Sequence, residues 1–153
     1  MRYLKNLIHI TLVGSLLLVA GPSLGEGTDQ DSISAVLHSM FDKPEAKLVV
    51  DPIVVSGSYA VAGWTQAETG GRALLRKKNQ EWALILCAGD GIKSKDSLVQ
   101  VGVPSDDATI LAREMSTQES KLPQQRVDMF SRFEGVMMMN DDGNSHPAPK
   151  TAQ

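Results

Sequence analysis

The stretch from Tyr59 to Asp90 constrains the fold of this chain more than any other part of the sequence. It contains both tryptophans, the single cysteine and a Gly-Gly pair. Apolar residues recur along it with the period of two that is typical of β-strands. Gly70-Gly71 and Lys78-Asn79-Gln80 interrupt the alternation as turns. We therefore expect consecutive antiparallel strands at about residues 59–64, 72–77 and 81–87.

A fourth strand is predicted just before this stretch. β-Branched runs lie on both sides of Asp51-Pro52. Because proline donates no backbone hydrogen bond, this strand must be an edge or carry a bulge at Pro52. In the last strand of the resulting meander, simple alternation places Trp82, Leu84 and Leu86 on one face, which is the better core candidate.

Helical periodicity flanks the predicted sheet on both sides. Before it, apolar residues recur three and four positions apart, at Ile33, Val36, Leu37, Met40 and Phe41. Lys43-Pro44 ends this helix, since the residue before proline disfavours the α conformation. After the sheet, a longer helix begins near Ser105 and another follows Pro123. The sequence thus predicts an α+β fold: an N-terminal helix, an antiparallel β-meander of about four strands, then two or three C-terminal helices.

Residues 1–25 have the features of a secretory signal peptide. Arg2 and Lys5 precede an apolar run, and small residues at Ser23 and Gly25 suit a cleavage site. The alternative, an uncleaved membrane anchor, is disfavoured because the apolar run has about 14 residues where a spanning helix needs about 20. We expect a periplasmic protein with one domain over residues 26–139 and a disordered tail over residues 140–153, and no membrane association after cleavage.

Charge and cysteine content narrow the possible functions. The net charge of the chain is −3, and loss of Arg2 and Lys5 with the signal peptide changes it to −5. A polyanion is bound through clustered Lys and Arg, so nucleic acid is an unsuitable partner. Cys87 is the only cysteine, so no disulfide can form within the chain.

The residues needed for common hydrolytic chemistry are sparse. After signal cleavage the histidines are His38, beside the apolar stripe of the first helix, and His146 in the tail. Asp106-Asp107 and Asp141-Asp142 are adjacent pairs, which suit helix caps and solvated segments better than an opposed pair of catalytic carboxylates. We therefore predict a protein that is not an enzyme.

Sulfur-containing side chains give the strongest indication of a binding site. Met137, Met138 and Met139 are consecutive, and His146 follows within the tail. Thioether and imidazole groups are soft and borderline ligands of the kind that bind Cu(I), and Cys87 is a further candidate ligand. The alternatives are that the methionines pack on the core in a final strand or helix end, and that Cys87 is a small buried apolar residue. In a strand, Met137 and Met139 would share one face and Met138 would lie on the other.

Several motifs, taken in order and spacing, carry a family resemblance over roughly residues 48–139. They are Ala62-Gly63-Trp64, Gly70-Gly71-Arg72-Ala73-Leu74-Leu75, Trp82, Leu86-Cys87 with Gly89-Asp90, Gly102-Val103-Pro104 and Phe130-Ser131-Arg132-Phe133-Glu134-Gly135. The chain thereby resembles the copper uptake system-associated proteins, small exported proteobacterial proteins. Members often end in a histidine-rich tail, whereas this tail has only His146, which shifts any metal site towards the methionines.

The resemblance implies a role in periplasmic copper uptake. On this hypothesis the protein is a non-enzymatic accessory that binds copper as Cu(I), or that docks on a periplasmic copper chaperone or copper-centre assembly protein. The alternative is a metal-independent protein-binding module of the periplasm, in which the sheet or a basic edge at Arg72 to Lys78 binds an acidic partner.

Overall fold

The computed structural model of the protein describes residues 28–139 and the backbone of residues 145–147. Within these residues the elements follow in the order α1 (Asp29–Phe41), β1 (Leu48–Ser56), β2 (Tyr59–Gln66), β3 (Thr69–Lys78), β4 (Glu81–Ala88), a 3₁₀ turn (Asp90–Ile92), α2 (Lys95–Gln100), α3 (Ser105–Glu119), α4 (Gln124–Phe130), β5 (Val136–Met139) and β6 (Ser145–Pro147). The predicted α+β class and its order of elements are confirmed.

The strands form one antiparallel sheet in sequence order, from β1 to β6. The predicted four-strand meander is its first part, and β5 and β6 extend it beyond β4 after the helical segment. β1 is an outer strand, and its register with β2 shifts between Val50 and Ile53, around Pro52. An outer strand with an irregularity at Pro52 agrees with the sequence prediction, because both arrangements accommodate the missing backbone donor.

Each face of the sheet is covered by its own helices. On one face, which we call the α1 face, Ile33 and Leu37 pack against apolar residues of the first four strands. On the opposite face, the α3 face, Leu98 of α2 and Leu111 of α3 cover a second cluster. α1 begins at a capping box in which Thr28 and Asp31 satisfy each other's backbone N–H groups.

The predicted common face for Trp82, Leu84 and Leu86 is wrong. In the β3–β4 ladder Leu75 pairs with Leu84 and Leu74 pairs with Leu86, so β4 contains one extra residue between these pairs. Such a bulge reverses the alternation that follows it. Trp82 and Leu84 therefore lie on the α1 face, while Leu86 packs on the α3 face.

After α4 the chain passes around the end of the sheet from one face to the other. Phe130 packs over Gly63, where a Cβ atom would lie 2.9 Å from the Phe130 ring. Phe133 packs over Gly71 on the α1 face, where a Cβ atom would lie 3.0 Å from the Phe133 Cβ atom. Between them, the Phe133 carbonyl oxygen would be 2.5 Å from a Cβ atom at Gly89. Glycine at these positions lets the backbone approach closely and directs β5 onto the side of β4.

Arg72 on β3 connects the sheet to the helical segment. Its side chain is 0% exposed, and its Nε and Nη2 atoms donate to the two carboxylate oxygens of Glu119 at 2.7 and 2.8 Å. Nη1 donates to the Gly89 carbonyl oxygen and to Asp90 Oδ1, at 3.2 and 3.0 Å. The guanidinium also lies over the Phe130 ring, 5.5 Å from its centroid. A buried bidentate pair of this kind fixes α3, the turn after β4 and α4 relative to β3.

The predicted leader and tail lie mostly outside the described residues. Residues 1–27 are not described, so the signal peptide and the periplasmic location stay predictions. Within the predicted tail, Ser145–Pro147 form β6 against β5, and the rest of residues 140–153 lies outside the described part. In the described part of the chain, no helix is both long and apolar enough to cross a membrane.

Glu119→Ala is expected to lower the free energy of unfolding by about 3–5 kcal/mol, because it leaves the Arg72 charge buried without its partner. Urea denaturation of the variant measures this loss. Glu114→Ala on the same helix is the matched control, since among the described residues Glu114 forms an ion pair with Arg113 alone, at the surface. That control is expected to change stability by less than about 0.5 kcal/mol. Equal effects of the two variants would contradict a structural role for the buried pair.

Candidate functional site

The five residues predicted as metal ligands lie on three adjacent strands. Met137, Met138 and Met139 form most of β5. Cys87 of β4 is the register partner of Met137. In the β5–β6 ladder, His146 is the register partner of Met138. Strand pairing thus brings predicted ligands that are far apart in the sequence next to one another.

Strand alternation divides the sulfur atoms between the two faces of the sheet. Cys87 and Met139 belong to the cluster on the α1 face, and Met137 lies on that face opposite Cys87. Met138 packs against the cluster on the α3 face. The predicted alternation of the methionines is confirmed. The sheet therefore separates Met138 from Cys87, Met137 and Met139, and these four residues do not surround a single point.

The Cys87–Met137 pair lines a cavity on the α1 face. The cavity has a volume of about 150 Å³ and is lined by Leu37, Phe41, Leu48, Trp64, Gln66, Cys87, Phe133 and Met137. Met137 is the most exposed of these at 36%, whereas Cys87 and Leu37 are buried. The sulfur pair thus lies where the cavity meets the surface.

Local glycine and aromatic residues shape one wall of this cavity. Trp64 and Phe133 pack edge to face, with ring centroids 5.7 Å apart and an interplanar angle of 79°. Gly71 is the cross-strand partner of Trp64, and a Cβ atom there would lie 3.0 Å from the indole Cζ2 atom. The absent side chain at Gly71 therefore makes room for both aromatic rings.

Burial controls the chemistry of Cys87. Its side chain is 5% exposed, and desolvation raises the pKa of the thiol to about 12. The charged thiolate is disfavoured because burial removes it from water. At neutral pH the thiol is therefore protonated and is a poor nucleophile.

The other residues considered in the sequence are His38 and the basic segment from Arg72 to Lys78. His38 lies on the exposed side of α1, with Nδ1 4.0 Å from Asp42 Oδ1. The segment from Arg72 to Lys78 does not form an edge of the sheet, because β3 lies between β2 and β4. The Arg72 side chain is also buried in its ion pair with Glu119, so it is not available to bind a partner. Lys77 pairs with Asp29 of α1 at 2.7 Å. The predicted basic edge is therefore wrong, and the lack of enzyme activity stays a prediction.

Sequence reasoning missed the apolar residues that complete the cavity. In the sequence, Trp64 and Phe133 stand out only as parts of the family motifs, and Leu37 only as part of the apolar stripe of the first helix. These side chains come together only because residues 130–133 cross the end of the sheet. No periodic pattern in the sequence predicts that crossing. The predicted turn at Gly70-Gly71 is wrong, because both residues lie within β3. The one available signal in the sequence is the bulky Trp64 together with these two glycines, since Gly71 is the register partner of Trp64.

The ligand atoms available on β4 and β5 determine which metal ions could bind there. In the described part of the chain, no group of three or more His, Cys, Asp or Glu residues could hold an ion. Oxygen-rich and mixed His/Cys sites of the zinc type are therefore not found there. Thioethers with one thiol, in contrast, suit a soft monovalent ion of low coordination number.

No family model, curated protein or solved structure matches this chain. The resemblance to copper uptake system-associated proteins is thus carried by the sequence motifs alone. The function must be argued from the residues of the β4–β5 region.

Cys87 is expected to react with a thiol reagent such as DTNB roughly 10³-fold more slowly than an exposed cysteine at pH 8, because it is buried and its thiolate is suppressed. Absorbance of the released chromophore measures the rate. Cys87→Ala combined with Ser58→Cys supplies an exposed thiol in the same protein as the control. Met137→Ala is expected to accelerate labelling of Cys87, since it removes the side chain beside it. Rapid labelling of the unmodified protein would contradict the described burial.

Proposed function

We propose that this protein is an exported, non-enzymatic accessory protein of periplasmic copper uptake and handling that binds Cu(I) weakly. The observation that supports the proposal is the placement of Cys87 directly opposite Met137 across the β4–β5 ladder. Met139 lies two residues further along the same face. These three residues supply soft sulfur donors of the type that Cu(I) prefers.

The spacing of an antiparallel ladder suits a two-sulfur site. Cβ atoms of directly opposed residues lie about 4.5–5.5 Å apart. Both side chains can therefore direct sulfur to a common point without a change in the backbone. The flexibility of methionine allows Met137 and Met139 to adjust their thioethers to the ion. We assign Cys87 and Met137 as the central ligands and Met139 as the third.

The environment of the site favours weak binding. Cu(I) coordinated by Cys87 displaces the thiol proton, and the raised pKa of the buried thiol opposes this loss. The thioethers bind without releasing a proton. Because Met137 is 36% exposed, an ion can arrive or leave at the surface by exchange of ligands. Such a site suits transfer to or from a periplasmic copper chaperone or copper-centre assembly protein, which is the partner we propose.

Met138 and His146 belong to a separate register pair. They are backbone register partners in the β5–β6 ladder, and Met138 packs on the α3 face. We therefore place them outside the three-sulfur site. This division of the methionine triplet provides an internal control for the metal experiment.

Met137→Leu combined with Met139→Leu is expected to reduce Cu(I) affinity at least about tenfold, because it removes two of three soft ligands. Titration of Cu(I) in the presence of a competing chelator under anaerobic conditions measures the affinity. Met138→Leu is the matched control and should retain the parental affinity, since it has the same chemistry on the other face. Stoichiometric binding that survives the double substitution, or no binding by the parent, would refute direct coordination at this site.

A metal-independent protein-binding module is the second candidate, and the free half of β4 favours it. β5 pairs with β4 only at Leu86–Ala88, so in the described residues Glu81–Ile85 have no strand neighbour on that side. A surface groove of about 720 Å³ follows this edge and is lined in part by Met40, Trp82 and Met139. Unpaired strand edges can accept a strand from another protein.

Capture of periplasmic proteins on the immobilised protein, with and without a copper chelator, separates the two candidates. For the copper accessory, the captured partner should be lost when the chelator is present, because the ion bridges the two proteins. A partner that is retained equally under both conditions would favour the metal-independent module. Met137→Leu with Met139→Leu should reproduce the effect of the chelator, whereas Met138→Leu should not.

A further inference from the structure

The outer strand β1 is protected against pairing with another chain. Asp42 Oδ1 accepts a hydrogen bond from the Leu48 N–H at 2.8 Å. Gln30 Nε2 donates to the Ile53 carbonyl oxygen at 3.0 Å. Pro52 lies in the middle of the strand and has no N–H to offer. Side chains and a proline thus occupy or remove backbone groups that a further strand would need.

The free half of β4 has no comparable protection among the described residues. Lys77 donates its backbone N–H to the Ser58 carbonyl oxygen at 2.8 Å, so its backbone groups point towards β2 and away from β4. Lys77 is the register partner of Trp82. Because the direction of hydrogen bonding alternates along an antiparallel strand, the N–H and C=O of Trp82 point away from β3, as do those of Leu84. In the described part of the chain, β5 reaches neither residue.

The spacing of these free groups makes the segment complementary to itself. When two copies run antiparallel with Trp82 of each opposite Leu84 of the other, every free N–H meets a free C=O. Ala83 then lies opposite Ala83 of the other copy, in a non-hydrogen-bonded pair with Cα atoms about 4.5 Å apart. Ala83 is small and exposed, so this close approach is unobstructed. A shift by one residue would place free groups opposite groups that already bond to β3.

The side chains of the segment agree with the same register. Trp82 and Leu84 share the α1 face, so the pairing brings them together as apolar cross-strand neighbours. The groove along this edge, which includes the 40% exposed Met40, continues into the groove of the other copy. Glu81 is the one charged residue from Glu81 to Ile85, and it falls opposite Ile85 of the other copy. No like charges therefore face each other across the pairing.

We propose that two copies of this chain form a dimer through residues 82–84 of β4, which joins their sheets into one. The carrying observation is the outward direction of the Trp82 and Leu84 backbone groups on an edge without a strand neighbour in the described residues. Because the same patch is used on both copies, the assembly closes at two subunits. The proposal goes beyond the copper function and does not rest on it. A foreign strand, as in the metal-independent module, would compete with the second copy for this edge.

Opposite charges at Ala83 test both the dimer and its register. In sedimentation velocity, the metal-free parent is expected to shift from monomer towards dimer as its concentration rises from about 1 μM to 1 mM. Ala83→Lys alone and Ala83→Glu alone should each dimerise at least about tenfold more weakly, because like charges meet at the two-fold axis. An equimolar mixture of the two should recover the dimer. Ser116→Lys and Ser116→Glu, at an exposed position on α3, should both behave as the parent.

Disulfide cross-linking gives a second measurement of the same register. In a Cys87→Ala background, Ala83→Cys is expected to form a cross-linked dimer when oxidised glutathione accepts the electrons of the two thiols. Glu81→Cys is the control, since the two copies of this position would be about 13 Å apart along the strands, beyond the reach of a disulfide.

Three results would overturn the proposal, with amide spectra used to show that each variant is folded. The first is a parent protein that stays monomeric throughout the concentration range. The second is a mixture of Ala83→Lys and Ala83→Glu that associates no better than either variant alone, as expected if the edge pairs with a foreign strand instead. The third is equal cross-linking from the two cysteine positions. Loss of Cu(I) binding in the methionine variants has no bearing on these results, so the two proposals fail separately.

Discussion

The buried ion pair between Arg72 and Glu119 is the interaction on which the rest of the structure depends. Glu119 is the last residue of α3, where the helix dipole disfavours a carboxylate, and only the facing guanidinium makes its burial tolerable. The same guanidinium contacts the Gly89 carbonyl and the Phe130 ring. One side chain on an interior strand thereby fixes where α3 ends, how the chain leaves β4 and where α4 packs. Since α4 leads directly into β5, the position of the last strands follows from this contact.

Only a few residues of the chain separate the Phe130 ring, which contacts Arg72, from the candidate site. Once Phe130 is held over Gly63, the next residues can only pass the sheet end at Gly89, where no side chain obstructs them. Phe133 then reaches the α1 face and packs on Trp64. Val136 follows as the partner of Ala88, which sets the register that places Met137 opposite Cys87. The alignment of the two sulfur atoms is therefore a consequence of how the chain crosses the sheet, rather than of local preference in β5.

The features that the sequence predicts correctly are local, and those that it misses are not. The stripe from Ile33 to Phe41 predicts α1, and the alternation in β5 predicts that Met138 faces away from its neighbours, because each depends only on the period of one element. The bulge in β4 has no such signal: one extra residue moves Leu86 to the other face, and only the pairing with β3 shows where it lies. The burial of Arg72 and the partnership of Cys87 with Met137 likewise join residues 47 and 50 positions apart. Basic residues in a strand were therefore assigned to a solvated edge that does not exist.

The candidate site lies where the sheet is less extensively paired than among its first four strands. β5 has four residues, and its ladder with β4 extends over only three register pairs. Short, partly exposed strands open at lower free energy than the interior of a sheet. A ligand that contacts Cys87 and Met137 together joins β4 to β5, so its binding free energy is added to the stability of this pairing. If the proposed Cu(I) binds there, its occupation of the site should be coupled to the order of the last strands, and a partner that binds β5 or β6 would sense whether the site is filled.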